Sequence, residues 1–148
     1  DGRPGVLSAR YAGENATDRE KCTKLLGEMA GKTNRTARFQ CVLSLATPGG
    51  PALTWEGSCE GEILEERRGE SGFGYDPVFY YEPLGKTFAE LTMEEKNVVS
   101  HRGRAMAQFA AEIDKVLTWL RHRLMEQKPP KPDHKPFEND DWSGHIKK

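Results

Sequence analysis

Hydrophobic and polar positions alternate in two registers along this chain. Thr17 stands before a segment in which Cys22, Leu25, Leu26 and Met29 recur at helical spacing. Glu20, three residues after Thr17, completes a capping box, and Gly31 closes the segment. From Thr36 to Ala46 the period drops to two: Ala37, Phe39, Cys41, Leu43 and Leu45 share one face, with Arg38, Gln40 and Ser44 on the other. Thr47-Pro48-Gly49-Gly50-Pro51 is turn chemistry. The period of two then resumes at Leu53, Trp55, Cys59 and Ile63. An antiparallel hairpin is expected, with a bulge or a close backbone approach at Gly57 and Gly61, which interrupt the pattern.

The flanking segments are read in the same way. Val6 to Gly13 is expected to be extended or a loop, Val78 to Tyr81 a short strand, and Glu82 to Lys86 a loop. Thr92 and Glu95 form a second capping box, which starts a short helix over about Met93 to Val99. Ser100 then caps a long helix. Its stripe is Met106, Phe109, Ala110, Ile113, Val116, Leu117, Leu120 and Leu124. From Lys128 proline and charge replace periodicity. The organisation expected is a folded domain over residues 1–127 and a disordered Pro/Lys-rich tail over 128–148. Strands mixed with helices, without strict alternation, predict an α/β domain with a mixed sheet flanked by helices.

Composition narrows the function. The chain has 148 residues and a net charge of −1, so no basic surface for nucleic acid or an anionic membrane is expected. No apolar run is long enough to span a bilayer. Cys22, Cys41 and Cys59 are odd in number and lack zinc-site spacing. They read as small buried hydrophobes in a reducing, cytoplasmic compartment.

The chemistry gathers between Ser71 and Gly103, where glycines alternate with aromatics and a charged helix leads into Ser-His-Arg-Gly. Gly72-Phe73-Gly74-Tyr75-Asp76-Pro77 fits two readings. One is a glycine-rich turn with two core aromatics. The other is a loop whose backbone approaches a flat ligand, with Phe73 or Tyr75 stacking on a base and Asp76 accepting from ring N–H groups. Ser100-His101-Arg102-Gly103 is either a capped helix start with charge in solvent or a donor cluster. Arg102 donates and cannot accept, so it suits a purine C6 oxygen and rejects the amino group of adenine. Lys96 on a helix is by default solvated. His101 is a candidate pH-sensitive donor, and without a nearby His or Cys it is not a metal site. There is no P-loop, no dinucleotide-binding glycine fingerprint and no nucleophile elbow.

Taken in order and spacing, SGFGYDPVF, GKTFAELTMEEKN and SHRGRA resemble the inosine triphosphate pyrophosphatase family. GRPGVLSARYAGENATD, ARFQCVLSLA and the EGEI strand fit as well, and the resemblance covers about Asp1 to Leu124. It implies hydrolysis of ITP, dITP and XTP to the monophosphate and pyrophosphate, a nucleotide-pool cleansing role, with Mg²⁺ and attack of water on the α-phosphate. It implies that Phe73, Gly74, Tyr75 and Asp76 form the base-binding loop, that Lys96 is the substrate-binding lysine, and that His101 and Arg102 are the base-reading pair. A homodimeric parent is implied too, with no nucleic acid and no membrane as partners.

The departure is that the family's Ser/Thr-x-Asn-x-x-Lys loop and its Asp-Asp-Ser-Gly segment are not in this sequence. No catalytic base and no metal ligand are therefore assigned within the chain. It starts at Asp1 rather than Met. The expectation is that both segments, with the Mg²⁺ ligands, precede Asp1 and that this chain alone turns over little or nothing. The competing expectation is a non-catalytic nucleotide-binding or assembly subunit. A nucleobase module for RNA is a weaker third reading, against which the neutral charge speaks.

Overall fold

The computed structural model describes residues 2–48 and 50–126. The tail expected over 128–148 lies outside the described residues.

A short 3-10 helix, Gly5–Arg10, stands where an extended or loop segment was expected. The first α-helix, α1, is Asp18–Glu28. Its capping box is formed: Thr17 Oγ1 accepts from Glu20 N at 3.3 Å, and Thr17 N donates to Glu20 Oε2 at 2.7 Å. Strands β1 (Thr36–Leu45) and β2 (Leu53–Ile63) pair antiparallel without interruption, from Thr36 opposite Glu62 to Leu45 opposite Leu53. The glycines in β2 therefore mark no bulge; they mark close approaches. Strand β3 is Phe79–Tyr81, and β4 is the two-residue strand Lys86–Thr87, which begins on the last residue of the stretch expected to be loop. The sheet order is β1-β2-β3-β4.

The α/β class holds, but every pairing among the described residues is antiparallel, where a mixed sheet was expected. The connections explain this. Parallel neighbours need a crossover, usually a helix, and no helix lies between β1 and β4 longer than the single 3-10 turn Glu82–Leu84.

The core forms where the face of β2 meets α1 and the segment around β3. Cys22, Leu25, Cys59, Ile63, Val78, Phe79, Phe88 and Leu91 are buried together. Phe39 of β1 packs on Phe79 and Phe88, with ring centroids 4.5 and 5.6 Å away. Cys22 and Cys59 are free and buried, as expected, while Cys41 is only half-buried.

Helices α2 (Met93–Val99) and α3 (His101–Ala111) share one boundary residue, Ser100. Its N–H donates to Lys96 O at 2.9 Å and ends α2. Its hydroxyl accepts from Gly103 N at 3.1 Å and starts α3. The second capping box is also formed, by Thr92 and Glu95. A seven-residue helix has little propagation to sustain it. Thr92→Ala should therefore cost about 1 kcal/mol, visible as a lower urea midpoint with an unchanged m-value.

The long helix expected after Ser100 is two helices. Glu112, at φ −107 and ψ 10, separates α3 from α4 (Ile113–Glu126). Glu112 also accepts from Trp55 Nε1 at 2.9 Å. Of the expected stripe, Val116 is buried and Phe109 and Leu120 are half-buried, whereas Met106, Ile113, Leu117 and Leu124 are exposed. The inward residue of α3 is Ala105, small enough to sit over β2 at Gly57. The chain divides after Ile113 into two compact units. Within the second, Arg123 lies 6.0 Å from the Trp119 ring and pairs with Glu126 at 2.9 Å.

Candidate functional site

The loop from Ser71 to Val78 is fixed by its own turn and by α1. Gly72 has φ +83, and a Cβ there would lie 2.1 Å from Asp76 Oδ2, so only glycine fits. The same Oδ2 accepts from Phe73 N at 2.7 Å. Gly74 N donates to Asp18 Oδ2 at 2.6 Å, and the Cys22 thiol donates to Gly74 O at 3.3 Å. The Gly74 hydrogen bond, then Lys21, hold the Asp18 carboxyl below its usual range.

The two aromatics take different parts. The Tyr75 hydroxyl donates to Ser8 O at 2.8 Å, and the ring packs against the core. Burial pushes its pKa up to about 12, so it remains a neutral donor. Tyr75 anchors the loop. Phe73 is 54% exposed and is the ring that offers a face.

Lys96 is not a solvated helix lysine. The capped start of α2 directs it to Asp76, with which it forms a close ion pair, the two side chains being 17% and 5% exposed. Its ammonium also lies 4.8 Å from the Phe73 centroid. Asp76 is thus directed inward, at Phe73 N and Lys96, with little surface toward a ligand.

His101 and Arg102 open α3. The His101 ring stacks on Phe39 at 4.8 Å and 18°, and its buried Nδ1 has no hydrogen-bond partner among the described residues. Arg102 lies over Phe73, its guanidinium carbon 4.7 Å from the ring centroid. Burial, then the charge of Arg102, pushes the His101 pKa down; Lys96 adds to this and Asp76 opposes it. The imidazole is therefore uncharged at neutral pH. A native pKa below the unfolded value means that the unfolded chain binds the extra proton first. The stability His101 contributes is present above the ordinary histidine pKa, about 6.5. It is lost as pH falls from there through the depressed native value. Urea midpoints of wild type should fall more steeply on acidification across that window than those of His101→Gln, and equal slopes would contradict this.

Phe73, Gly74, Tyr75, Asp76, Lys96, His101 and Arg102 all line one cleft of about 1730 Å³. That exceeds the ~300–1,000 Å³ of a typical small-molecule pocket. Sequence reasoning missed Phe39, Asp18, Lys21 and Asn97, which line the same cleft. The only sequence signals for them were the inward register of Phe39 and the position of Asp18 in a capped first turn.

The described residues do not fit a Mg²⁺ site. No three His, Cys, Asp or Glu residues converge among them. The two aspartates at the loop from Ser71 to Val78 are already engaged, Asp18 by Gly74 N and Lys21, and Asp76 by Phe73 N and Lys96. Among the described residues no helix is long and apolar enough to cross a membrane.

Comparison with known proteins identifies the fold. The Ham1 family model matches residues 1–112. The chain belongs to the Ham1 family. A dITP/XTP pyrophosphatase of Desulfotalea psychrophila is 63% identical over 143 residues, covering 97% of this chain and 64% of that protein. A dITP/XTP pyrophosphatase of Syntrophobacter fumaroxidans is 56% identical over 126 residues, covering 85% of this chain and 54% of that protein. Among solved structures, the Ham1 protein of Staphylococcus aureus superposes with a TM-score of 0.75 at 43% identity, covering 78% of this chain and 60% of that one. This Ham1 chain therefore spans less than two thirds of the length of the curated relatives it matches.

Proposed function

We propose that this chain forms the base-recognition wall of a pyrophosphatase that hydrolyses ITP, dITP and XTP to the monophosphate and pyrophosphate. The observation that carries the reading is the convergence of Phe73, Lys96, His101 and Arg102 on one cleft. The two curated relatives described above carry the name dITP/XTP pyrophosphatase, which supports it.

The parts divide by chemistry. Phe73 stacks on the purine. Arg102 covers that ring here, so a base taking the same face displaces the guanidinium to the base edge, where it meets the C6 oxygen. Adenine presents an N–H donor there, leaving two donors opposed and both unpaired. His101 Nδ1 is a buried polar atom with a partner still to gain. Asp76 and Tyr75 hold the loop rather than read the base. A cytoplasmic homodimer using Mg²⁺ belongs to this reading, with the metal held by residues other than those described.

The lack of a carboxylate cluster among the described residues favours a second reading in which the chain binds nucleotide without hydrolysing it. Calorimetric titration with dITP and dATP, together with a pyrophosphate-release assay in Mg²⁺, tests both. Preference for dITP is expected, and equal affinity for dATP would remove the base-recognition reading. Pyrophosphate release by this chain alone would remove the binding-only reading. Phe73→Ala should weaken dITP binding by roughly 5- to 150-fold, the loss of about 1–3 kcal/mol of stacking.

A further inference from the structure

Phe73 sits beside a residue that packing does not hold. A Cβ at Gly74 would meet nothing within 4 Å, and its φ is +64. At this point the loop is held by hydrogen bonds, and both that grip the Gly74 peptide come from α1. The N–H donates to Asp18 Oδ2 at 2.6 Å, across 56 residues of sequence, and the carbonyl accepts from the Cys22 thiol at 3.3 Å. Of the two, the bond to the ionised carboxylate is the stronger kind, and a thiol is a weak donor.

We infer that Asp18 is a positioning residue for base recognition: by holding the Gly74 peptide it sets the pose of the Phe73 ring against Arg102 and Lys96. This rests on the base-recognition reading above. Asp18 touches no part of the base; it acts through the backbone between Phe73 and Tyr75. The competing account is that Asp18 merely places an acid in the first turn of α1, where the helix dipole favours it. The two accounts differ in what the side chain must supply. Positioning needs a hydrogen-bond acceptor, which asparagine retains. The dipole needs charge, which asparagine lacks.

The test compares wild type, Asp18→Ala and Asp18→Asn by dITP and dATP titration and by NMR-detected amide exchange at Phe73 and Gly74. Asp18→Ala is expected to lose protection of the Gly74 amide and to bind dITP about tenfold more weakly. Both nucleotides should weaken together, since stacking does not distinguish them, while Arg102→Ala should narrow the preference for dITP instead. Asp18→Asn should recover most of the Gly74 protection and most of the affinity. Wild-type affinity in Asp18→Ala, or equal losses in both Asp18 variants, overturns the positioning role and leaves the base-recognition reading standing. A wild-type chain that does not bind dITP sinks that reading and this inference with it.

Discussion

Lys96→Met is expected to destabilise the protein by about 3 kcal/mol, the lower end of the cost of breaking a buried ion pair by removing one partner. Methionine fills nearly the same volume, so the loss is electrostatic rather than a cavity. What remains is the Asp76 side chain, 5% exposed, with Phe73 N as its other donor among the described residues. Removing the second charge should restore part of the loss. The double variant Lys96→Met/Asp76→Asn is expected to be more stable than Lys96→Met alone, because an amide oxygen still accepts from Phe73 N and no buried charge is left without a counterion. Urea denaturation of the wild type, single and double variants measures this. A Lys96→Met loss within about 0.5 kcal/mol, the range of ordinary surface substitutions, would show the pair to be incidental. On the base-recognition reading, nucleotide affinity should fall in both variants, since the ammonium 4.8 Å from the Phe73 ring is gone in each.

Gly57→Ala should damage the site from behind. A Cβ at residue 57 would lie 2.0 Å from His101 O and 2.6 Å from Ala105 N. Both atoms are backbone, so no side chain can swing away. Either β2 bends or α3 lifts, at a cost of about 1–3 kcal/mol or somewhat more for overpacking. Because the contact falls on the first turn of α3, the residues that move are His101 and Arg102. On the base-recognition reading, the preference for dITP over dATP should therefore narrow, although Gly57 is not among the residues lining the cleft. Gly27→Ala is the control: it lies in α1 with nothing within 4 Å of its Cβ. There the same change should stabilise by up to about 1 kcal/mol. If Gly57→Ala matched Gly27→Ala in the urea midpoint, the close approach of α3 to β2 would not be a constraint.

What the sequence made legible was local. Thr17 with Glu20 and Thr92 with Glu95 form their capping boxes, because a cap depends on residues three apart and on nothing else. The register of β1 and β2 follows from alternation, since a one-residue slip would turn every apolar residue of β1 outward. The cleft residues near Phe73, Lys96 and Arg102 stood out because glycine, aromatic and charge crowd one stretch. What was not legible depends on partners distant in sequence. Alternation places Phe39 inward but does not name His101 as its neighbour, and the stripe on α3 and α4 marks apolar spacing without saying what covers it. Met106 and Leu124 are exposed for that reason. Gly57 and Gly61 interrupt a strand pattern equally well for a bulge or for a close approach, and only the facing backbone decides. Among the described residues the sheet is antiparallel rather than mixed for a similar reason: strand spacing along the chain does not by itself fix strand direction.

The single-residue corner at Ser100 has a thermodynamic consequence. One hydroxyl and one amide join α2 to α3 with no intervening loop, and Ser100 itself is 6% exposed. A Cβ at Gly103 would lie 1.7 Å from Asn97 O, so the two helices meet backbone to backbone. Lys96 and Arg102 are therefore mounted on one stiff bracket, with no loop between their helices left to order. The entropy of arranging the two helices has been lost already, during folding. On the base-recognition reading, selectivity rests on mismatched partners at the base edge, with the Arg102 side chain, rather than a closing loop, as the part that moves.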